Sequence, residues 1–237
     1  MRIHYLQHVA FEDAANIAGW ARLRGHRLTH TRLDLDQPLP EPAGLDWLVV
    51  MGGPMSVVDG GPSFIEGERA LIASALGARV PVLGVCFGSQ LLASVLGGTV
   101  ARAAEKEIGW VEVERSEGSQ GDPLFDELPP RFVPFQWHED AIGLPPGATR
   151  LARSRVTPVQ AFRAASGEDV YGIQFHLESD APMVRVMVES SALELRQDGI
   201  DAGSLLAETE RHMAEQVRLA GIVFGRWAAR VVARSRR

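Results

Sequence analysis

The chain has 237 residues, of which 46% are hydrophobic and 23% are charged, and its formal net charge is −6. These values are typical of a globular domain with a full core, and the acidic balance argues against a dedicated nucleic-acid-binding protein. The single cysteine excludes an internal disulfide and a cysteine-rich zinc site, which favours a reducing, cytoplasmic compartment. No apolar run approaches the about 20 residues of a membrane-spanning helix, and the N-terminus does not resemble a signal peptide.

The first part of the chain alternates strand-like and helical segments. Continuous or alternating apolar runs predict strands at 2–6, 26–33, 47–51 and 81–85, and helical periods predict helices at 14–23, 64–76 and 88–96. Because the strands at 47–51 and 81–85 are apolar on both faces, we expect a parallel sheet covered by helices. The predicted fold class is therefore α/β, with a mostly parallel central sheet flanked by helices.

The middle of the chain, residues 99–172, consists of short alternating segments punctuated by proline and glycine. This pattern predicts antiparallel strands and long loops on the same sheet, and 170–175 predicts one more strand.

From residue 181 the chain is predicted to be helical. A first helix is expected at 183–196, with an inner face of Met183, Val186, Met187 and Ser190. A second helix is expected at 204–232, with an apolar stripe of Leu206, Met213, Val217, Ala220, Phe224, Trp227 and Val231. We therefore predict a domain at 1–197 and a C-terminal helical extension at 198–237 that packs on it.

The strongest chemical signal is Gly84-Val85-Cys86-Phe87-Gly88, where a strand is expected to turn into a helix. This is the cysteine counterpart of the G-x-S-x-G nucleophile elbow, in which side chains at the glycine positions would clash. The following helix directs its free N–H groups at the sulfur and favours the thiolate. A lone cysteine is more often a small buried hydrophobic residue, but the flanking glycines favour a nucleophile.

Two further motifs follow predicted strands. His176 and Glu178 come directly after the strand at 170–175, and side chains two residues apart in an extended segment lie on the same side. A thiol nucleophile needs a base, and the base benefits from a carboxylate that fixes its tautomer. Gly52 and Gly53 follow the strand at 47–51 and leave backbone N–H groups unobstructed, which suits an oxyanion hole.

Together, the segments LVVMGGPMSV, GVCFGSQLLA and GIQFHLES resemble the class I glutamine amidotransferases, whose fold is flavodoxin-like. The resemblance is strongest to free-standing members similar to the glutaminase domain of GMP synthase, and 105–110 and the segment QWHED also correspond. The family usually has proline where this chain has Leu177.

The resemblance implies a role for each matching residue. Cys86 would be the nucleophile, His176 the base and Glu178 its orienting carboxylate, while the backbone amides of Gly53 and Phe87 would form the oxyanion hole. The substrate-binding residues would be Gln90, His138, Glu139 and Asp140. No metal or organic cofactor is implied. The other histidines, His4, His8, His26, His30 and His212, are expected to be ordinary surface or partly packed residues.

Three functions fit this pattern. The first is a glutaminase that releases ammonia and glutamate and passes the ammonia to a separate synthetase subunit. The second is a self-sufficient hydrolase of γ-glutamyl amides or peptides, and the third is a non-catalytic binding protein. The complete set of Cys86, His176 and Glu178 argues against the third. The substrate would be glutamine or a γ-glutamyl small molecule, and a homodimer remains open.

Overall fold

The computed structural model describes residues 1–60, 62–165 and 169–234. The strands are, in chain order, β1 (Arg2–Gln7), β2 (Arg27–Arg32), β3 (Trp47–Val50), β4 (Val82–Val85), β5 (Val100–Trp110), β6 (Val113–Arg115), β7 (Arg131–Phe132), β8 (Phe135–Ile142), β9 (Thr149–Ser154), β10 (Ala161–Arg163) and β11 (Val170–Ile173). The helices are α1 (Ala15–Leu23), α2 (Phe64–Gly77), α3 (Phe87–Val95), α4 (Ala181–Ser190), α5 (Ala192–Gln197) and α6 (Ala202–Arg234).

The central sheet runs in the order β2-β1-β3-β4-β11-β10-β9-β6-β7. Neighbouring strands from β2 to β11 are parallel, whereas β10, β9, β6 and β7 continue the sheet in antiparallel pairs. Helices cover both faces, so the predicted α/β fold is confirmed. Because the parallel strands β1, β3, β4 and β11 end at one edge, the loops that follow them meet there.

The sheet has an apolar layer on each face because its central strands are buried on both sides. Trp47 and Val49 of β3 lie on the face covered by α1 and α6, with Trp20, Phe224 and Trp227 in the same cluster. The alternate residues of β3, Leu48 and Val50, lie on the face covered by α2 and α3. This arrangement explains the continuous apolar run of the strand in the sequence.

Strands β5 and β8 depart from the prediction that the middle of the chain joins the same sheet. They pair with each other as an antiparallel ribbon outside the central sheet. Phe135 of β8 belongs to a third apolar cluster with residues of α4, α5 and α6, and Ile108 and Trp137 pack against it. The ribbon is therefore held by helices of the C-terminal part, which the alternating pattern of its strands did not reveal.

The helix predicted at 183–196 is in fact two helices. It begins earlier because the side chain of Asp180 accepts a hydrogen bond from Met183 N at 2.9 Å, which caps α4. The chain then breaks at Ser191, between α4 and α5. Met183 and Met187 are buried as expected, but Val186 is 40% exposed and Ser190 is also exposed. The inner face is completed by Val184 and Val188 instead.

Helix α6 has 33 residues and packs against α1 and α4. Ala220, Phe224, Trp227 and Val231 are buried as the stripe predicted, and Leu206 and Met213 are half-buried. The assignment of Val217 is wrong, because its side chain is 48% exposed. The division into a domain at 1–197 and an extension at 198–237 stays a prediction. Among the described residues, no helix is long and apolar enough to span a membrane.

Candidate active site

Cys86 lies at a sharp turn between β4 and α3, with backbone angles of φ 47° and ψ −112°. A φ in this range is strained for a residue with a side chain and is found at functional sites. A Cβ atom on Gly84 would lie 2.5 Å from Gly88 O, and one on Gly88 would lie 2.0 Å from Val50 O. Both glycines are therefore required for the turn to pack against the sheet, as the elbow motif predicts.

The thiol of Cys86 is buried but lies on the wall of a cavity. The residue is 5% exposed, and its Sγ donates a long hydrogen bond to Trp137 O at 3.5 Å. The side-chain amide of Gln174 lies 3.8 Å from the sulfur. Because α3 begins at the next residue, Cys86 lies at the N-terminus of that helix, which is the positive end of its dipole.

His176 and Glu178 form a buried pair beside the cysteine. His176 Nδ1 donates to Glu178 Oε1 at 2.6 Å, although the segment lies beyond the end of β11 and is not a regular strand. Burial lowers the pKa of His176, but the charges of Glu178 and Cys86 outweigh this effect, so the pKa is raised well above its ordinary value. The pair therefore favours an imidazolium next to the thiol.

The other nitrogen of the imidazole, Nε2, is buried and has no hydrogen-bond partner in the described part of the chain. A Cβ atom on Gly52 would lie 3.1 Å from His176 Cε1 and 3.5 Å from Cys86 Cβ, so the imidazole and the cysteine flank the same point. The sequence motifs thus come together in space, as the prediction of a cysteine–histidine arrangement requires.

Gly53 and Phe87 both line the cavity. Neither N–H has a hydrogen-bond acceptor among residues 1–60, 62–165 and 169–234. The neighbouring Met51 and Gly88 are fixed instead, because Gly88 N donates to Met51 O at 3.1 Å. Two unoccupied donors next to a thiol are the arrangement expected of an oxyanion hole.

The predicted substrate-binding residues line the same cavity, whose volume is about 130 Å³. Gln90 is buried, with its amide 3.5 Å from both Asp140 O and Gln174 Oε1. Asp140 accepts a hydrogen bond from Ser56 Oγ at 2.6 Å and pairs with Arg102, and the exposed Glu139 pairs with the same guanidinium.

His138 is buried in a polar network beneath this wall. Its Nδ1 donates to Asp140 O at 2.9 Å, and its Nε2 lies 3.2 Å from Glu107 Oε2. Glu107 also accepts hydrogen bonds from Thr157 and Gln160, at 2.6 and 2.7 Å. This network fixes the backbone of β8, whose Trp137 carbonyl contacts the thiol.

Glu12, in the loop between β1 and α1, was not predicted from the sequence to belong to the site. It lines the cavity, is 6% exposed and has no hydrogen-bond partner within the described residues. Burial raises the pKa of Glu12, as does the charge of Glu178, while His176 and His8 oppose the shift. Nothing in the local sequence marked this carboxylate, because it reaches the site only through the meeting of strand ends.

His4 and His8 contradict the expectation that the remaining histidines are ordinary surface or partly packed residues, because His4 is 7% exposed and His8 is buried more deeply. His8 is 1% exposed and packs between the rings of Phe64 and Phe87. Its Nδ1 lies 2.8 Å from Gly52 O, and its Nε2 lies 2.9 Å from Glu68 Oε1. No sequence signal linked these residues, because Glu68 is 60 positions further along the chain.

The fold and the site together are those of a cysteine enzyme of the amidotransferase type. This class combines a parallel sheet with a cysteine elbow and a histidine–glutamate pair. Residues 14–185 match the family Glutamine amidotransferase class-I, and the chain belongs to that family. A glutamine amidotransferase-like protein of Salmonella typhimurium, YfeJ, is 36% identical over 200 residues, covering 82% of this chain and 83% of that protein.

Other relatives share parts of the chain or its whole fold. A GMP synthase of Thermus thermophilus is 35% identical over 202 residues, which cover 83% of this chain but only 36% of that synthase. The crystal structure of a glutamine amidotransferase from Thermotoga maritima superimposes with a TM-score of 0.86 and 31% identity, covering 98% of both chains. A glutamine amidotransferase from Methylobacillus flagellatus gives a TM-score of 0.87 at 31% identity, covering 96% of this chain and 94% of that one.

Proposed function

We propose that the protein hydrolyses the γ-carboxamide of glutamine, or of a γ-glutamyl amide, through a thioester on Cys86. The observation that carries this proposal is the convergence of three elements on one small cavity. These are the strained cysteine, the buried pair of His176 and Glu178, and the unoccupied N–H groups of Gly53 and Phe87. Each corresponds to one requirement of acyl transfer, namely a nucleophile, a proton carrier and an oxyanion site.

In the proposed reaction, the Cys86 thiolate attacks the amide carbon, and the carbonyl electron pair moves to oxygen. The N–H groups of Gly53 and Phe87 stabilise this oxyanion. The His176 imidazolium then gives its proton to the amide nitrogen as the oxyanion collapses and the carbon–nitrogen bond breaks. Ammonia departs, and a γ-glutamyl thioester and a neutral imidazole remain. The imidazole next accepts a proton from water, the resulting hydroxide attacks the thioester, and glutamate leaves as the thiolate is restored. Glu178 keeps the imidazole oriented throughout.

We assign the glutamyl part of the substrate to the wall formed by Gln90, His138, Glu139 and Asp140. Their position on the cavity beside Cys86 supports this assignment. Gln90 and Asp140 present polar groups, while His138 acts from beneath through the hydrogen bond to Asp140 O. No metal or organic cofactor is needed for these steps.

A separate synthetase subunit is a proposed recipient of the ammonia, because the matched GMP synthases contain further sequence that this chain does not cover. A self-sufficient γ-glutamyl hydrolase is the second candidate. The groups that it would use, Cys86, His176 and Glu178, all belong to this chain. A cytoplasmic location and a homodimer remain proposals from the sequence.

The test is to incubate the purified protein with glutamine and a panel of γ-glutamyl amides and peptides, and to measure ammonia, amine and glutamate. Cys86→Ala is expected to abolish hydrolysis while the far-ultraviolet circular dichroism spectrum stays unchanged. A glutamine-like affinity label is expected to add once to the wild type and not to Cys86→Ala. Normal turnover by Cys86→Ala would rule out the covalent mechanism.

A further inference from the structure

The peptide that joins Gly52 and Gly53 occupies a crowded position in the active site. A Cβ atom on Gly52 would lie 2.6 Å from Glu12 Oε2, and one on Gly53 would lie 2.8 Å from Met55 Cε and 3.0 Å from His8 Cβ. Glycine is therefore required at both positions for space. Two successive glycines also leave the peptide between them free to rotate, because neither has a side chain that restricts its backbone.

One hydrogen bond from a buried side chain opposes this rotation. His8 Nδ1 donates to Gly52 O at 2.8 Å, and within the described residues this peptide unit has no other hydrogen bond. The donor is itself held on its other side, where Nε2 donates to Glu68 Oε1 at 2.9 Å. Both histidine and glutamate side chains are fully buried, so neither bond competes with water.

The direction of the Gly53 N–H follows from the direction of the Gly52 carbonyl. A trans peptide is planar, and its N–H and C=O groups point in opposite directions. The carbonyl points to His8, whose ring packs against those of Phe64 and Phe87. The N–H of Gly53 therefore points away from His8, on the side where Gly53 borders the cavity with Cys86.

We propose that the buried pair of His8 and Glu68 locks the peptide joining Gly52 and Gly53 in the orientation that completes the oxyanion hole. His8 is thus a positioning residue that acts through the backbone and does not touch the substrate. The inference rests on the proposed function, in which Gly53 N–H stabilises the oxyanion. Both members of the pair belong to this chain, so the lock needs no residue from a second protein.

The protonation of His8 agrees with this role. A carbonyl oxygen only accepts hydrogen bonds, so Nδ1 must carry a proton. Burial lowers the pKa of His8, but the charge and hydrogen bond of Glu68, the carbonyl of Gly52 and the charge of Glu12 raise it, and the net direction is upward. An imidazolium is a stronger donor to the carbonyl than a neutral ring.

Three variants of the full chain test the lock. His8→Leu removes both hydrogen bonds, whereas His8→Asn keeps a donor at the position of Nδ1 and loses the bond to Glu68. The matched control is His4→Leu, which removes another buried histidine of the same chain segment. Its ring nitrogens lie 2.8 Å from Thr29 Oγ1 and 3.1 Å from Thr31 Oγ1, on the neighbouring strand. Removing one oxyanion donor lowers kcat by about 10²–10³-fold in known enzymes, so a misdirected donor is expected to lower it by about 10–100-fold.

We expect His8→Leu to show this loss in kcat with an unchanged KM for glutamine, or for whichever γ-glutamyl amide the wild type hydrolyses. His8→Asn should recover much of the rate, and His4→Leu should match the wild type. The decisive measurement compares two ligands, L-glutamate γ-semialdehyde and glutamate. The aldehyde forms a hemithioacetal with Cys86 whose oxygen occupies the hole, so its affinity should fall with kcat, while the affinity for glutamate stays constant.

A purely structural role for His8 makes different predictions. Alkylation of Cys86 by iodoacetamide needs a thiolate but no oxyanion hole, so its rate should be retained in His8→Leu. Parallel losses of aldehyde affinity, glutamate affinity and alkylation would overturn the proposal, as would equal activities of His8→Leu and His4→Leu. If His8→Leu does not fold, Glu68→Gln takes its place as the test. We expect this variant to lose kcat several-fold at constant KM. An unchanged kcat would count against the lock. Failure of the proposed function is distinct, because the wild type would then hydrolyse no γ-glutamyl amide.

Discussion

Replacing Trp227 by alanine tests whether α6 is part of the core or a separable extension. The side chain is fully buried, with its ring centroid 4.4 Å from that of Trp47 and 5.7 Å from that of Tyr171. Truncating a buried tryptophan costs about 3–5 kcal/mol of unfolding free energy. The indole N–H is buried and has no hydrogen-bond partner among the described residues, which itself costs free energy in the folded state. Because the substitution removes this unpaired donor as well as the packing, we expect a loss near the lower limit, about 3 kcal/mol.

The matched control is Val217→Ala on the same helix, where the side chain is 48% exposed. This change should cost less than about 0.5 kcal/mol. In a protein of this size, 1 kcal/mol corresponds to about 2–4 °C, so Tm should fall by roughly 6–12 °C for Trp227→Ala and by at most about 2 °C for Val217→Ala. Thermal and urea unfolding followed by circular dichroism would measure both. Equal, small losses in the two variants would refute the argument and indicate that α6 unfolds independently.

Two further predictions concern the site and the extension. His176→Ala should abolish turnover almost as completely as loss of Cys86, and Glu178→Gln should cost less because it keeps the position and removes only the charge. The charge of Glu178 raises the pKa of His176, so Glu178→Gln should lower that pKa. Because the imidazolium is the acid in the proposed reaction, the alkaline limb of the kcat/KM profile should move to lower pH. A limb that stays in place would contradict the assignment of Glu178. Truncation after Gly203 should expose Trp47 and Tyr171 and give an aggregated or unfolded chain. Light scattering would measure the oligomeric state of the product. A soluble, folded product whose oligomeric state is unchanged would show that α6 is dispensable.

The parts of the site that the sequence predicted are those whose physical requirement is local. Gly84 and Gly88 are needed within two residues of Cys86, because any side chain there would meet the backbone of the same turn or of β3. His176 and Glu178 are separated by one residue, so their pairing needs no knowledge of the fold. The central strands β3, β4 and β11 were also predictable, since burial on both faces produces continuous apolar runs such as 47–50.

The parts that the sequence did not reveal depend on contacts between distant segments. His8 and Glu68 meet only when the loop after β1 approaches α2, and an isolated histidine carries no sign of this. The buried face of α6 includes Thr209 and Gln216, which a search for apolar periodicity passes over. The predicted stripe therefore included Val217, which is exposed. In the structure Leu219 and Val223 complete the buried surface instead.

Gln216 gives α6 a direct connection to the catalytic segment. Its side-chain oxygen accepts a hydrogen bond from Phe135 N at 2.9 Å, and its amide donates to Ser179 O at 3.0 Å. Phe135 O in turn accepts from His176 N at 2.8 Å, and Ser179 directly follows Glu178. A shift of α6 would therefore displace the backbone on both sides of the imidazole. Substitutions chosen to stabilise this helix can alter the reaction rate, so thermal stability and turnover should be measured together for every α6 variant.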